Sequence, residues 1–555
     1  MLKNGTGLLI ALCLAALGQQ HDHAGDQKDA GPAPLLNGMG HLHHPITTSN
    51  ALAQRYFDQG LTLVYGFNHD EAARSFAYAA KLDPKCAMAF WGIALARGPN
   101  YNEWIIDAAR ENAADEAIQK AQALAAGSSA AEQDYIRAFS KRVSSDPKAD
   151  QKKLGENYRD AMWQLTERYP NDLDAAVLSA ESIMVLHAWK LWKRDGQPEE
   201  GTLQAIHILE AVLKRDPDNI GANHFYVHAI EESLHPEQAM ASARKMADLT
   251  PGAGHLVHMP AHIYIRTGDY HAASIANKQA MGADQGYIEK YHVETMYSMM
   301  YYTHNMHFLA VSSCFEGNFA DANRVAARIT KGLTPYLKDH PEVESFLPTE
   351  TLVLARFHRW PEIERLPEPD KGYAQAHALW RFGRGMAYSG EGDMTKAAGE
   401  RAALAAEAKA IPTKTEFGYN TAAQIFEIAQ LTLDASIARG RHDYKQAEAL
   451  LQKAAGAEDA LNYDEPPDWY LPPRESLGAV RSWMAARRKP RLFFAKNSSS
   501  TRRTHAPSTA WRNACALRVR PVRKLPRAKN LRKDGSTPTS NCGWRISKVA
   551  AKLIF

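Results

Sequence analysis

One spacing of small, aromatic and proline residues recurs along this chain at a period of about 34 residues, and it leaves few folds open. The clearest copy is ALAQRYFDQGLTLVYGFNHDEAARSFAYAAKLDP, in which Gly60, Ala72, Phe76, Ala79 and Pro84 stand where two packed helices need small residues, a plug and a stop. The spacing returns at Gly268, Tyr270, Ala273 and Ala280, at Gly317, Phe319 and Ala322, and at Gly385, Tyr388, Gly392 and Ala397. Weaker copies end at Pro170, Pro217 and Pro251. A unit this short cannot bury its apolar face alone, so the copies must stack. Alanine richness and the scarcity of β-branched runs predict an all-α chain. With 555 residues, 45% of them hydrophobic, one continuous array has ample core.

On these residues the chain resembles the tetratricopeptide repeat (TPR) family. The resemblance covers residues 49–480 and implies a right-handed superhelical solenoid of about ten helical hairpins. The overall likeness is to exported bacterial proteins of this class, which supplies a fold and little activity. In the family the first helix of each hairpin lines a concave groove, which takes peptides, proteins or small ligands. The resemblance therefore implies a binding scaffold, although a fold does not fix a function.

Histidines give the groove a chemical character. His255, His258 and His262 precede Gly268 by thirteen, ten and six residues, and His304 and His307 precede Gly317 by thirteen and ten. With Leu234 in the glycine position of the preceding unit, His224 and His228 fall into the same register. His224, His258 and His307 then hold equivalent positions on consecutive groove helices, with Glu231 and Glu232 one turn beyond His228. Side chains four apart share a helix face, and neutral imidazole is a common ligand for zinc, copper and iron. The pattern predicts a transition-metal first shell of His224, His228, His258 and His262, with Glu231 as ligand or base. His255, His304 and His307 would complete a second site or orient the ligands. The extra helical stretch at residues 285–300 is expected to widen the gap to the last pair. Two other readings stay open: a hydrogen-bonding or pH-sensitive groove, and an adaptor whose histidines are structural and which binds no metal.

Other groove candidates are Trp91, which lies at groove spacing with Met88 and Leu95, then Tyr101 and Glu181. A stripe such as Trp91's is more often packing than a ligand platform. If the chain is an enzyme it is metal-dependent, with the reaction unspecified. HExxH, GxSxG, a phosphate-cradling loop and a dinucleotide fingerprint are all missing. Five cysteines form no disulfide framework.

The ends differ from the array. Residues 1–20 read as a secretory signal peptide, with Lys3, an apolar core and small residues near Ala15 and Gly18, so the protein is expected to be periplasmic or secreted. No further stretch is apolar enough for a membrane span in the mature chain. Residues 21–48, rich in His, Gly and Pro, read as a flexible lead-in. From Arg481 the chain carries twenty Lys and Arg against one acid, Asp534, and the remaining 480 residues carry 46 basic and 61 acidic side chains. Taken literally, residues 481–555 are a disordered basic arm for nucleic acid. They are better read as the product of a frameshift near Ala479, and then no nucleic acid is expected. Back-translating residues 479–548 with one consistent codon choice and reading one nucleotide out of frame returns a repeat-like amphipathic string that ends in a stop. Genomic resequencing is expected to find the shifted frame, and confirmation of the printed frame would remove this reading.

Overall fold

The computed structural model describes residues 33–487, and the sequence readings for residues 1–32 and 488–555 lie outside them. Among the described residues the chain is all-α, apart from a two-residue antiparallel ladder pairing Glu416–Phe417 with Asn420–Thr421 and an isolated bridge between Trp192 and Pro198. It divides into two compact units, one ending at Ala229 and the other starting at Ile230.

In the first unit the repeat spacing becomes packing. Helices Ala51–Tyr65 and His69–Leu82 form a hairpin followed by Ala87–Arg97. Phe76 is fully buried as the plug. A methyl group on Gly60 or Gly92 would lie within 2.7 or 2.3 Å of the Phe76 ring, so both glycines are what admits it. Hairpin turns pass through one left-handed residue before the next helix. In the second unit this is Gly268, Gly317 or Gly392, at φ of 83, 84 and 94°. Asp269, Asn318 and Asp393 follow and cap the next helix through their side chains. The same left-handed position is filled by Phe67 in the first unit and by His358 and His442 in the second, which are not glycine.

Three expectations change. Residues 33–48 are not a free lead-in, because side chains of the first unit satisfy their backbone groups. Tyr56 donates to the Ala33 carbonyl, and the Leu36 and Thr47 amides donate to Gln59 and Glu132. His44 pairs with Asp174 at 2.8 Å. Buried Ala33, Met39 and Ile46 add apolar contact. The expected end of the array after residue 480 falls inside helix Pro473–Arg487, where Arg481 pairs with Glu448 at 2.7 Å, so the first residues assigned to the tail are helical. Trp91 is core rather than groove: it is 2% exposed and packs on Phe57 and Tyr135.

No helix among the described residues is long and apolar enough to cross a membrane. Cys86 and Cys314 are buried free thiols.

Candidate functional site

The second unit builds its site from three stretches. Gly254–His258 and Pro260–Thr267 are one helix interrupted at Met259, because Pro260 has no N–H to continue the ladder. Tyr270–Tyr291 is the outer helix of that hairpin. A π-helical turn, Tyr297–Tyr301, then leads into helix Tyr302–Glu316, and such turns occur often at functional sites.

Asp284 ties these pieces together. It is buried, accepts from Tyr297 Oη at 2.7 Å and from Asn305 Nδ2 at 2.6 Å, and lies against Gly254. One carboxyl thus fixes the π turn, the rotation of the helix that carries His304, and the start of the helix that carries His258. Burial pushes Asp284 up to about 7, against the hydrogen bonds from Tyr297 and Asn305, which lower it. The folded protein therefore keeps a proton that the unfolded chain loses near pH 4. Stability from this group is full at acid pH, falls as pH rises through the interval to about 7, and is lost above it. In chelator, the melting temperature is expected to fall from pH 5 to pH 8, and Asp284→Asn to flatten that fall. The difference should be roughly 2–4 kcal/mol, read from melts at each pH.

Three imidazoles converge inside this frame. His258 Nε2 is 2.7 Å from His262 Nε2 and 3.1 Å from His304 Nε2. His258 and His262 are buried and His304 is half-buried. Phe308, fully buried, backs all three rings with centroid distances of 4.9, 5.2 and 5.7 Å. The partners of the other ring nitrogens decide the tautomers. Asn277 Nδ2 donates to the Ala273 carbonyl, so its Oδ1 is the atom 2.7 Å from His258 Nδ1, which must donate to it. His262 Nδ1 donates to the buried Glu231 carboxylate. Both Nε2 atoms therefore present lone pairs to each other, an arrangement that needs a shared cation, either a proton or a metal ion. Burial opposes a charged His262, but Glu231 outweighs it and raises the imidazole above its ordinary value. The same carboxylate would strengthen His262 as a ligand for a metal ion. Tetrahedral coordination at about 2.0–2.1 Å spaces ligand nitrogens about 3.4 Å apart, so small ring rotations bring this set to metal geometry.

The other expected residues divide as follows. His255 lies beside His258 and Tyr301, at ring centroid distances of 5.8 and 5.3 Å. His307 packs on Phe346 and Tyr470, away from the converging nitrogens, and burial lowers it to about 4. Equal register sets His258 and His307 side by side on neighbouring helices about 8–10 Å apart, whereas His304, one turn earlier, meets His258 tip to tip. The stretch at residues 285–300 does not hold the last helix off, as the His258–His304 distance shows. Glu231 takes the outer position behind His262, and Glu232 is half-buried nearby in sequence.

His224 and His228 belong to the first unit, where aromatic rings enclose them. His224 Nδ1 donates to the Tyr65 carbonyl at 2.5 Å. His228 stacks on Phe67 at 5.6 Å and touches Tyr101 and Trp189. Tyr101 is therefore a wall of this buried aromatic cluster rather than an open groove residue. Glu181 accepts the Tyr101 amide, and burial raises it to about 7 against the lowering charge of Arg142.

Asn277, Asp284 and Asn305 were not expected from the sequence. Asn277 and Asp284 are seven residues apart on a helix whose other inward positions are small or apolar, and that polar pair on one face was the available signal.

No protein-family model matches the chain, and no curated protein does. Among solved structures it is similar to yeast Tom70, at 11% identity and a TM-score of 0.29, over 79% of this chain and 90% of that one. It is also similar to the APC/C hetero-tetramer Cut9-Hcn1, at 13% identity and 0.31, over 80% of this chain and 72% of that one. A third is the P58(IPK) TPR domain, at 12% identity and 0.21, over 79% and 99%.

Proposed function

We propose that the protein is an exported helical-repeat protein whose second unit binds a divalent transition metal through His258, His262 and His304. The observation that carries this reading is the pair of opposed Nε2 lone pairs, fixed by Asn277 and Glu231, with a third imidazole beside them. Three neutral nitrogens suit zinc, copper or iron better than calcium or magnesium, which prefer oxygen. A protein supplying three ligands leaves coordination positions for water or an oxygen ligand, whose acidity such a metal raises. Export rests on the apolar N-terminal stretch, and fractionation of the native host tests it.

The metal reading is tested by elemental analysis of the purified chain after reconstitution with zinc, copper or iron, beside a His258→Ala/His304→Ala variant. The expected result is at least one equivalent in the parent and one fewer in the variant, with the helical circular dichroism unchanged. Equal metal content in both would overturn the assignment. No metal in either, together with a copurifying peptide, would favour the adaptor.

A further inference from the structure

A cleft of about 250 Å³ lies in the first unit, between helix Ala130–Phe139 and helix Gln151–Arg168. A capping box of Ser129 and Glu132 starts the first helix, and Asp150 caps the second. The rings of Phe139 and Tyr158, 5.5 Å apart, join the two. One wall carries Asp134, Arg137 and Ala138, with Lys141 just past the helix end. The other carries Ala161, Gln164, Leu165 and Arg168, spaced three and four apart on one helical face. Ala138, Ala161 and Leu165 are buried and give the cleft an apolar floor.

Asp134 organises the polar walls. It accepts from Arg137, from Arg168 Nη1 at 2.6 Å and from Tyr169 Oη at 2.9 Å. One carboxylate thus holds guanidiniums from two helices and takes a single N–H from each. A guanidinium carries five N–H donors in a planar fork, so most of both forks is left for another acceptor. Lys141 and Gln164, which line the same cleft, have no hydrogen-bond or ion-pair partner among the described residues. The charge balance runs against the rest of the chain. The first 480 residues carry 46 basic and 61 acidic side chains, and where arginines cluster elsewhere, acids match them. Arg381 and Arg384, for example, share Glu368, Glu400 and Glu407. In the cleft a single acid meets three cations, an excess of two positive charges.

We propose that this cleft binds a small dianion of the phosphate class, with Arg137 and Arg168 donating to its oxygens and Lys141 supplying the third cation. Two forks held by one carboxylate suit an acceptor with several oxygens on one centre. The excess of two positive charges matches a dianion, and the apolar floor can take the organic remainder of a phosphate monoester. Pockets for drug-sized ligands occupy about 300–1,000 Å³, so this cleft suits a small molecule rather than a stretch of polymer. Arg137 and Arg168 are 60% and 63% exposed, so binding is modest and weakens as salt is added. The site stands apart from the metal reading and does not depend on it.

The test titrates inorganic phosphate into the full chain by calorimetry, at low ionic strength and in chelator, so that no bound cation takes part. Saturable binding at millimolar phosphate or below is expected, and sodium chloride should weaken it. Lys141→Ala removes no contact within the protein and should weaken binding about 3–5-fold. Asp134→Asn separates a built site from a merely basic surface, because it adds one positive charge while releasing both forks. A site organised by Asp134 weakens by at least a similar factor, whereas diffuse attraction grows stronger, and tighter binding in Asp134→Asn would overturn the proposal. Parental affinity in Lys141→Ala and in Arg137→Gln would overturn it too, since the anion would then bind elsewhere, the basic residues beyond 481 included. Succinate binding more tightly than phosphate would overturn the phosphate assignment. So would an absence of saturable binding in the parent.

Discussion

In His258→Ala, the added metal ion is expected to lose its stabilising effect on the second unit. In the parent, a cation bound only by the folded state at about a hundred times its Kd adds about 2.7 kcal/mol. For a unit of this size that is roughly a 5–10 °C rise in melting temperature. Of the proposed ligands His258 has the most to lose, because its Nε2 is the one that meets both His262 and His304. Alanine leaves two imidazoles with no atom between them, and Asn277 Oδ1 without its donor. The melting temperature of the variant should be the same with and without the cation. Glu231→Gln should keep a smaller shift, because losing the carboxylate behind His262 weakens affinity by about 10–100-fold without removing a ligand. His307→Ala should behave like the parent toward the cation, since its ring lies on Phe346 and Tyr470. Calorimetric melts of the four proteins in chelator and in excess cation separate these cases. An undiminished shift in His258→Ala would show that the ion binds elsewhere.

The repeat was legible because its determinants are local. Phe76 needs glycine at two facing positions, and an array of hairpins needs the same small residues each time, so the spacing survives as a pattern in the sequence. The turns were only half legible. Gly268, Gly317 and Gly392 announce a left-handed residue, while Phe67, His358 and His442 adopt the same conformation with a side chain whose local cost the packing must offset. The histidine cluster was readable as a register, but register cannot say which tips meet, and the structure chose His304 over His307. Less visible still were the groups that set the tautomers. Asn277 and Asp284 look like ordinary polar residues until the folded outer helix turns them inward. Residues 33–48 misled by composition: glycine, proline and histidine suggest mobility, yet the donors and acceptors that hold the segment belong to helices up to Asp174.

The second large effect is expected at a residue with no side chain. A methyl group on Gly254 would lie 1.9 Å from Asp284 Oδ1 and 2.2 Å from its carboxyl carbon. That carboxyl cannot simply swing away, because Tyr297 and Asn305 hold its two oxygens. Gly254→Ala must therefore either displace the start of the His258 helix or break the Asp284 bonds. Overpacking of this kind costs about 1–3 kcal/mol, and leaving the buried donors unsatisfied costs about 1–3 more. The variant should lose roughly 2–6 kcal/mol, read as a lower urea midpoint at unchanged slope. Gly282→Ala is the control on the outer helix: a methyl there meets nothing within 4 Å, so helix propensity should stabilise it by about 0.5–1 kcal/mol. Cation affinity should fall in Gly254→Ala as well, because Asp284 sets the rotation that points His304 at His258. If the urea midpoint falls while the affinity stays at the parental level, Asp284 is a stability element alone. If both fall, the carboxyl that fastens the π turn also aims the histidines, and the site depends on a glycine that touches none of its ligands.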